Sequence, residues 1–384
     1  MAPLRIIHLN SLLTGGGTDD QCVKLAYGLQ QLGQDIRIAG PDGREFSKVI
    51  HALNVPLCDT GNTKSKLKFI LRGAKYIREF KPHIVHGHHG RDIWPTIFAV
   101  RLSGVRPKLV LTRHMAKSPS SFPSRRYILA QCDALIVVSK FVEKILTQGM
   151  DDPNSPEQER WHRPPIRGDY KKIHVIYPGV DTTRFFPAPS AETRKQLGLQ
   201  PGDFAFAVTG GFDLPRGKGQ REFLRAAASI HKTIPNARFL IIGRGNMEPI
   251  LKSDIDRLGL QGKAWLPGQM SNMPQVMNAI DCLVHPQIGT EALGLVVCEA
   301  HACGKPVIAS DLDGIPEAFA AGNLGQLVPP ENIDKLADAM AAQTKTPLSN
   351  DADKQAMHSR VAAQFSLRRA AEQTLALYRQ LVGD

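Results

Sequence analysis

No apolar run in this 384-residue chain approaches the length of a membrane span, so a spanning helix is excluded and a soluble or peripheral protein is expected. Cysteine is sparse: Cys22, Cys58, Cys132, Cys282, Cys298 and Cys303 are scattered, with none of the short spacings of zinc or redox sites. They read as reduced packing residues of a cytosolic protein. A secretory leader is not expected either, because Met1-Ala2-Pro3-Leu4-Arg5 runs straight into strand-like Ile6-Ile7-His8-Leu9-Asn10, and neither is export. The C-terminal half lacks net charge. Residues 1–180 hold 27 Lys and Arg against 15 Asp and Glu, and the remainder holds 21 of each, so the whole formal charge of +12 sits on the first half. An anionic partner is expected there, phospholipid headgroups or lipid-linked phosphates ahead of nucleic acid.

Short apolar strands alternate with amphipathic helices over the first half, with strands predicted at 5–10, 35–39, 84–86, 109–112, 134–138 and 174–176 and helices such as 19–32 and 139–148. A break at Tyr177-Pro178-Gly179-Val180-Asp181 precedes a second alternation, with strands at 204–209, 238–242, 263–266, 282–285, 306–309 and 325–328. The fold class is therefore α/β, two doubly wound Rossmann-like domains at 1–180 and 181–365, with ligands at the carboxyl ends of the strands. A strongly helical run, 366–384, follows with no strand after it. The proline-rich, polar insertion 151–171 fits neither rhythm and builds no core, so a surface excursion is expected over an acceptor-contacting flap carrying Trp161 and Arg163.

The run Gly289-Thr290-Glu291-Ala292-Leu293-Gly294-Leu295-Val296-Val297-Cys298-Glu299-Ala300 carries the most chemistry. It leads into Ala302-Cys303-Gly304-Lys305-Pro306-Val307, a helix stop before a buried strand, which puts Glu299 on a helix and Glu291 in the loop before it. The N–H groups at the turn Gly294-Leu295-Val296 would attract an anion such as a diphosphate. Glu291 would then face a sugar carried on it, and Glu299 the ribose hydroxyls. The alternative is a capping Glu and a solvated one.

Other segments offer matching pieces. Glycines Gly15-Gly16-Gly17 after the first strand permit close approach of a phosphate to the backbone. His114, with Arg113 before it, ends a predicted strand. His83, His86, His88 and His89 cluster, with His86 and His88 on one strand face, yet no carboxylate or cysteine lies at ligand spacing, so a cleft-lining loop is expected over a metal. Gly210-Gly211-Phe212-Asp213-Leu214-Pro215-Arg216-Gly217-Lys218 offers two cations for phosphate oxygens, and Gly243-Arg244-Gly245 suits a turn at a nucleotide crevice. From Lys64 to Arg78 a helix is predicted with Leu67, Ile70, Leu71, Ala74 and Ile77 on its buried stripe and cations mostly opposite, a sheet-packing helix with a membrane-surface helix as the alternative. Lys117, Phe122, Arg125, Arg126 and Tyr127 form a second basic and aromatic patch.

Taken together, the paired glutamates around the Gly-Leu turn, the Ala-Cys-Gly-x-Pro-Val strand entry, the early glycines, Arg216 with Lys218, and Gly314-Ile315-Pro316-Glu317 occur in one order that resembles the family 4 retaining glycosyltransferases, also grouped as glycosyltransferase group 1. The resemblance implies the B-type fold, with two domains facing across a cleft and the last helix crossing back to the first. It implies a nucleoside diphosphate sugar as donor, retention, and neither metal nor other cofactor. Glu291, His114, Arg216 and Lys218 would be catalytic, and Gly16, Gly17, Gly210, Gly243, Gly294, Leu295, Val296 and Glu299 would bind the donor. Lys117, Arg125 and Arg126 would meet the acceptor or an anionic membrane. An anionic glycan or lipid-linked acceptor of the cell envelope, as in lipopolysaccharide assembly, fits the basic first half, and so does a cytoplasmic location with peripheral contact at the inner membrane face. Gly211 stands where the family usually has arginine, and Thr18 where it usually has an acid. A nucleotide-sugar epimerase and a non-catalytic nucleotide-sugar or membrane-binding adaptor are the rival readings.

Overall fold

The computed structural model describes residues 2–61, 65–151, 162–215, 217–346 and 350–384; Lys64, Trp161 and Arg216 lie outside the described residues, as do residues 152–160 of the insertion. The chain divides into two compact units, Met1–Gly179 with Phe365–Asp384, and Val180–Gln364.

The first unit is built on a seven-stranded sheet: β1 (Arg5–Leu9), β2 (Asp35–Gly40), β3 (Leu57–Asp59), β4 (Ile84–Gly87), β5 (Lys108–Arg113), β6 (Ala134–Val137) and, after the antiparallel pair of two-residue strands β7 (Met150–Asp151) and β8 (His162–Arg163), β9 (Ile173–Val175). Its order is β3-β2-β1-β4-β5-β6-β9, all parallel. Continuous apolar stretches such as Ile6-Ile7 and Ala134-Leu135-Ile136-Val137 are buried because helices cover both faces. The chain leaves β1 for β2 on one side and returns to β4 on the other, so the carboxyl ends of β1 and β4 flank the switch point where such sheets hold ligands. Helix Leu367–Val382 packs on helix Gly17–Gln31 and sends Tyr378, fully buried, into the core of this unit.

The second unit repeats the scheme in six parallel strands: β10 (Phe204–Thr209), β11 (Ala237–Ile242), β12 (Ala264–Gly268), β13 (Cys282–His285), β14 (Val307–Ser310) and β15 (Gly325–Val328), in the order β12-β11-β10-β13-β14-β15. Its switch point falls between β10 and β13. Phe206, Phe223 and Phe239 anchor its core.

The predicted strands agree with these to within a residue or two; β3 and the short pair β7 and β8 were not expected, and one helix face is corrected. Strand β3 is a three-residue edge with no fully buried side chain, too short and too wet for a periodic signal. On helix Lys66–Phe80 the buried stripe is Phe69, Gly73, Ala74, Ile77 and Phe80, while Leu67 and Leu71 are 62% and 54% exposed. The real stripe turns on Gly73, whose missing side chain lets the helix approach Leu9 and Ala99. Glycine carries no hydropathic signal, so leucine periodicity alone points to a different face. All six cysteines are free, five of them buried. Among the described residues no helix is long and apolar enough to cross a membrane.

Candidate active site

In the second unit, two loops meet at the switch point. The loop after β10 carries Lys218, and the loop after β13 carries Glu291; their side chains meet as an ion pair, Nζ to Oε2 at 2.7 Å, across 73 positions of chain. Gln220, fully buried at the start of helix Gln220–Ile230, braces the first loop by accepting from Lys218 N at 2.7 Å and donating to Gly211 O at 3.3 Å. The second loop is held from below: Glu291 N donates to Asp313 at 3.1 Å and Gly314 N donates to Glu291 O at 3.2 Å, which explains the Gly-Ile-Pro-Glu segment downstream.

Gly294 caps helix Leu295–Ala302 at φ 84°, a left-handed conformation costly for any residue with a Cβ. The first intrahelical bond runs from Val297 N to Gly294 O at 2.9 Å, so the N–H groups of Leu295 and Val296 precede the helix ladder and point outward from its positive end. Glu299 sits half-buried on the same helix. Gly243 is explained by packing, since a Cβ there would come 2.0 Å from Gly210 O; the turns after β10 and β11 touch backbone to backbone.

His285, the last residue of β13, was not singled out from sequence although it closes a predicted strand at the carboxyl end. It is buried, and neither ring nitrogen has a hydrogen-bond partner among the described residues. Burial pushes its pKa down to about 4, with Glu291 pulling the other way and Lys218 adding to the depression. For Glu291 burial by itself would raise the carboxyl, but Lys218, His285 and the Leu293 N–H outweigh it and hold the group below its ordinary range. The site therefore holds an ionised carboxylate, a cation and a neutral imidazole beside a helix start, a set suited to a phosphate-bearing ligand.

The first unit has its own constellation at the carboxyl ends of β1, β4 and β5. The glycine loop is organised by Asp19, which lies one residue past Thr18 and was overlooked: its carboxylate accepts from Thr14 N and Gly15 N at 2.9 and 3.0 Å, from Asn10 Nδ2 at 2.9 Å, and meets His89 at 2.7 Å. Burial would raise the pKa of Asp19, but His89, Asn10 and the Gly15 N–H hold it down. A carboxylate does therefore reach the histidine cluster, brought by tertiary contact and not by sequence spacing. Gly16 and Gly17 remain open, with nothing within 4 Å of where a Cβ would stand.

His114, directly after β5, is partly exposed, and burial lowers its pKa to about 3. His88 and His114 line a cavity of about 30 Å³ with Gln21, Tyr177 and Leu367. Behind it the nitrogens of His8, His86 and His88 lie within 4.8 Å of one another, a spacing open to a metal ion. Both nitrogens of His86 are already taken by hydroxyls, Tyr378 and Thr112, each at 2.6 Å. The basic patch is partly structural: Arg113 donates to Lys117 O, and Arg125 donates to Pro119 O and Ser120 O, while Arg126 lies over the Tyr127 ring.

The chain is similar to known proteins over both units. Residues 190–358 match the family model for glycosyl transferases group 1, and residues 15–184 match that for glycosyltransferase family 4. The chain is 32% identical over 229 residues to a D-inositol 3-phosphate glycosyltransferase of Mycobacterium marinum, a match covering 57% of this chain and 47% of the relative. A protein of the same name from Mycobacterium ulcerans is 28% identical over 324 residues, covering 78% and 64%. The matches thus span from about half to under two thirds of these relatives' lengths. Among solved structures, a glycosyltransferase from Rickettsia africae superposes with a TM-score of 0.81 at 21% identity, covering 100% of both chains. Anabaena HepE, in complex with UDP and glucose, superposes with a TM-score of 0.78 at 20% identity, covering 97% of this chain and 99% of that one.

Proposed function

The chain belongs to the family 4, group 1 glycosyltransferases, and from that premise we propose that it moves a sugar from a nucleoside diphosphate donor to an anionic acceptor with retention of configuration. The observation that carries this is the Lys218–Glu291 ion pair set beside the start of helix Leu295–Ala302 and the buried ring of His285. As the bond to the diphosphate breaks, negative charge grows on the leaving oxygens, where Lys218, Arg216 and the N–H groups of Leu295 and Val296 neutralise it, so that no metal is required. The acceptor attacks from the face the diphosphate leaves and passes its proton to the leaving phosphate. Glu291, ionised through its partner, positions the sugar and is not a covalent nucleophile. Glu299 takes the ribose, Gly16 and Gly17 approach the donor, and His114 serves the transferred sugar. UDP, bound in HepE, is the first nucleotide to test.

The test is incubation with a panel of nucleoside diphosphate sugars. Release of nucleoside diphosphate, slow in water and faster with an inositol phosphate, supports transfer; interconversion of sugars with no release means an epimerase, and no turnover of any donor overturns the reading.

A lipid-linked acceptor at the inner face of the cytoplasmic membrane is favoured by one feature: Met115, Phe122 and Tyr127 are exposed, Phe122 at 63%, in the segment that also carries Lys117, Arg125 and Arg126. Aromatic side chains among cations suit an anionic bilayer interface.

A further inference from the structure

A single hydrogen-bonded chain runs through the core of the first unit, from the last helix to His114. Thr112 Oγ1 meets His86 Nε2 at 2.6 Å, and His86 Nδ1 meets Tyr378 Oη at 2.6 Å. Tyr378 Oη also lies 3.4 Å from His8 Nε2. His8 Nδ1 then meets His88 Nε2 at 3.2 Å, and His88 Nδ1 meets His114 Nε2 at 3.5 Å. Four elements supply the members: β1, the β4 end, the β5 end and helix Leu367–Val382.

Four imidazoles and a phenol are linked nitrogen to nitrogen or nitrogen to hydroxyl, and each neutral ring has one N–H and one lone pair. All four rings are neutral near pH 7, because burial is the largest influence on each and drives every pKa down. Two proton arrangements then leave every link with one donor and one acceptor and the Tyr378 hydroxyl proton engaged in the chain. In the first, Tyr378 donates to His86, His8 Nε2–H donates to Tyr378, His88 Nε2–H to His8, and His114 Nε2–H to His88, leaving Nδ1 of His114 bare. In the second every arrow reverses, and Nδ1 of His114 carries the proton. The 2.6 Å contact separates them: it suits a phenol donating to imidazole and is shorter than the usual range for an N–H donor, which the second arrangement would require there.

We propose that Tyr378 is a positioning residue that sets the tautomer of His114 through His8 and His88, holding Nδ1 as an acceptor for a hydroxyl of the transferred sugar. This rests on the reading of His114 as a residue of the transfer site. It also gives the final helix a part in the reaction beyond packing.

The test is ¹⁵N-histidine NMR on the full chain, with His114 assigned by its loss in His114→Asn. Wild type should show His114 as one Nε2–H tautomer; Tyr378→Phe, close in shape, and His8→Phe, which breaks the next link, should both show a mixture. Turnover of the donor should fall about tenfold in both with KM for the donor changed less than twofold, a split that loss of packing would not produce. Both variants are read, so misfolding of one leaves the other to decide. A wild-type Nδ1–H tautomer, or an unchanged His114 tautomer in a folded variant, overturns the relay. A tautomer shift in a protein that turns over no nucleoside diphosphate sugar upholds the relay and sinks only the transferase reading.

Discussion

At the scale of single residues the donor site turns on a cation and a carboxylate whose contributions separate. Lys218→Ala removes a charge aimed at the phosphates and leaves Glu291 partly buried without its partner, so nucleoside diphosphate affinity measured by calorimetry should fall by roughly 1.5–3 kcal/mol, the range for hydrogen bonds to charged groups. Glu291→Gln keeps the shape and loses the charge. It should depress turnover while the nucleoside diphosphate still binds, whereas Glu299→Ala should weaken nucleotide binding itself. A reversal of these two phenotypes would exchange their roles. A histidine ending a strand is unremarkable until its neighbours are known; what distinguishes His285 is a buried ring whose two nitrogens have no partner among the described residues, a property of the folded site.

At the scale of elements the helices separate packing from chemistry. On helix Lys66–Phe80, Phe69→Ala should cost about 3–5 kcal/mol in denaturant unfolding, as for other buried phenylalanines, while Leu71→Ala should stay within about 0.5 kcal/mol. Equal losses would restore the leucine stripe expected from periodicity. The glycine loop depends in the same way on Asp19, which satisfies two backbone N–H groups and two side chains at once. Asp19→Ala should destabilise the first unit by roughly 1–3 kcal/mol, the cost of leaving buried donors unpaired, read as a lower melting temperature.

Across the whole molecule, charge and histidine burial are both concentrated in the first unit. His8, His86, His88 and His114 have folded pKa values below their ordinary 6.5, so the unfolded chain takes up protons first as acid is added. Their stabilisation is whole above about pH 6.5 and is lost as pH falls toward the folded values, near 3 for His8 and His114, at ~1.4 kcal/mol per pH unit for each ring. The second unit has two such strongly depressed rings, His285 and His301, both near 4. Calorimetry at pH 7.5 and 5.5 should show the transition of the first unit dropping further than that of the second; parallel shifts would contradict the burial of the cluster. The excess positive charge on residues 1–180 should also bind anionic vesicles at low ionic strength and release them as salt rises. Cosedimentation with phosphatidylserine vesicles checks this, and no binding at low salt points to a soluble acceptor.

The order of strands and helices, the loop position of Glu291 and the helical position of Glu299 were determined by the sequence itself, because hydrophobic period and turn residues act over a few positions. The same locality explains what the sequence left open. Lys218 meets Glu291 across 73 residues, Asp19 meets His89 across 70, and Tyr378 meets His86 across 292, and no spacing rule connects such pairs. Parallel sheets bring the carboxyl ends of distant strands together at a switch point, and only there did scattered histidines become a relay and separate charges become a site.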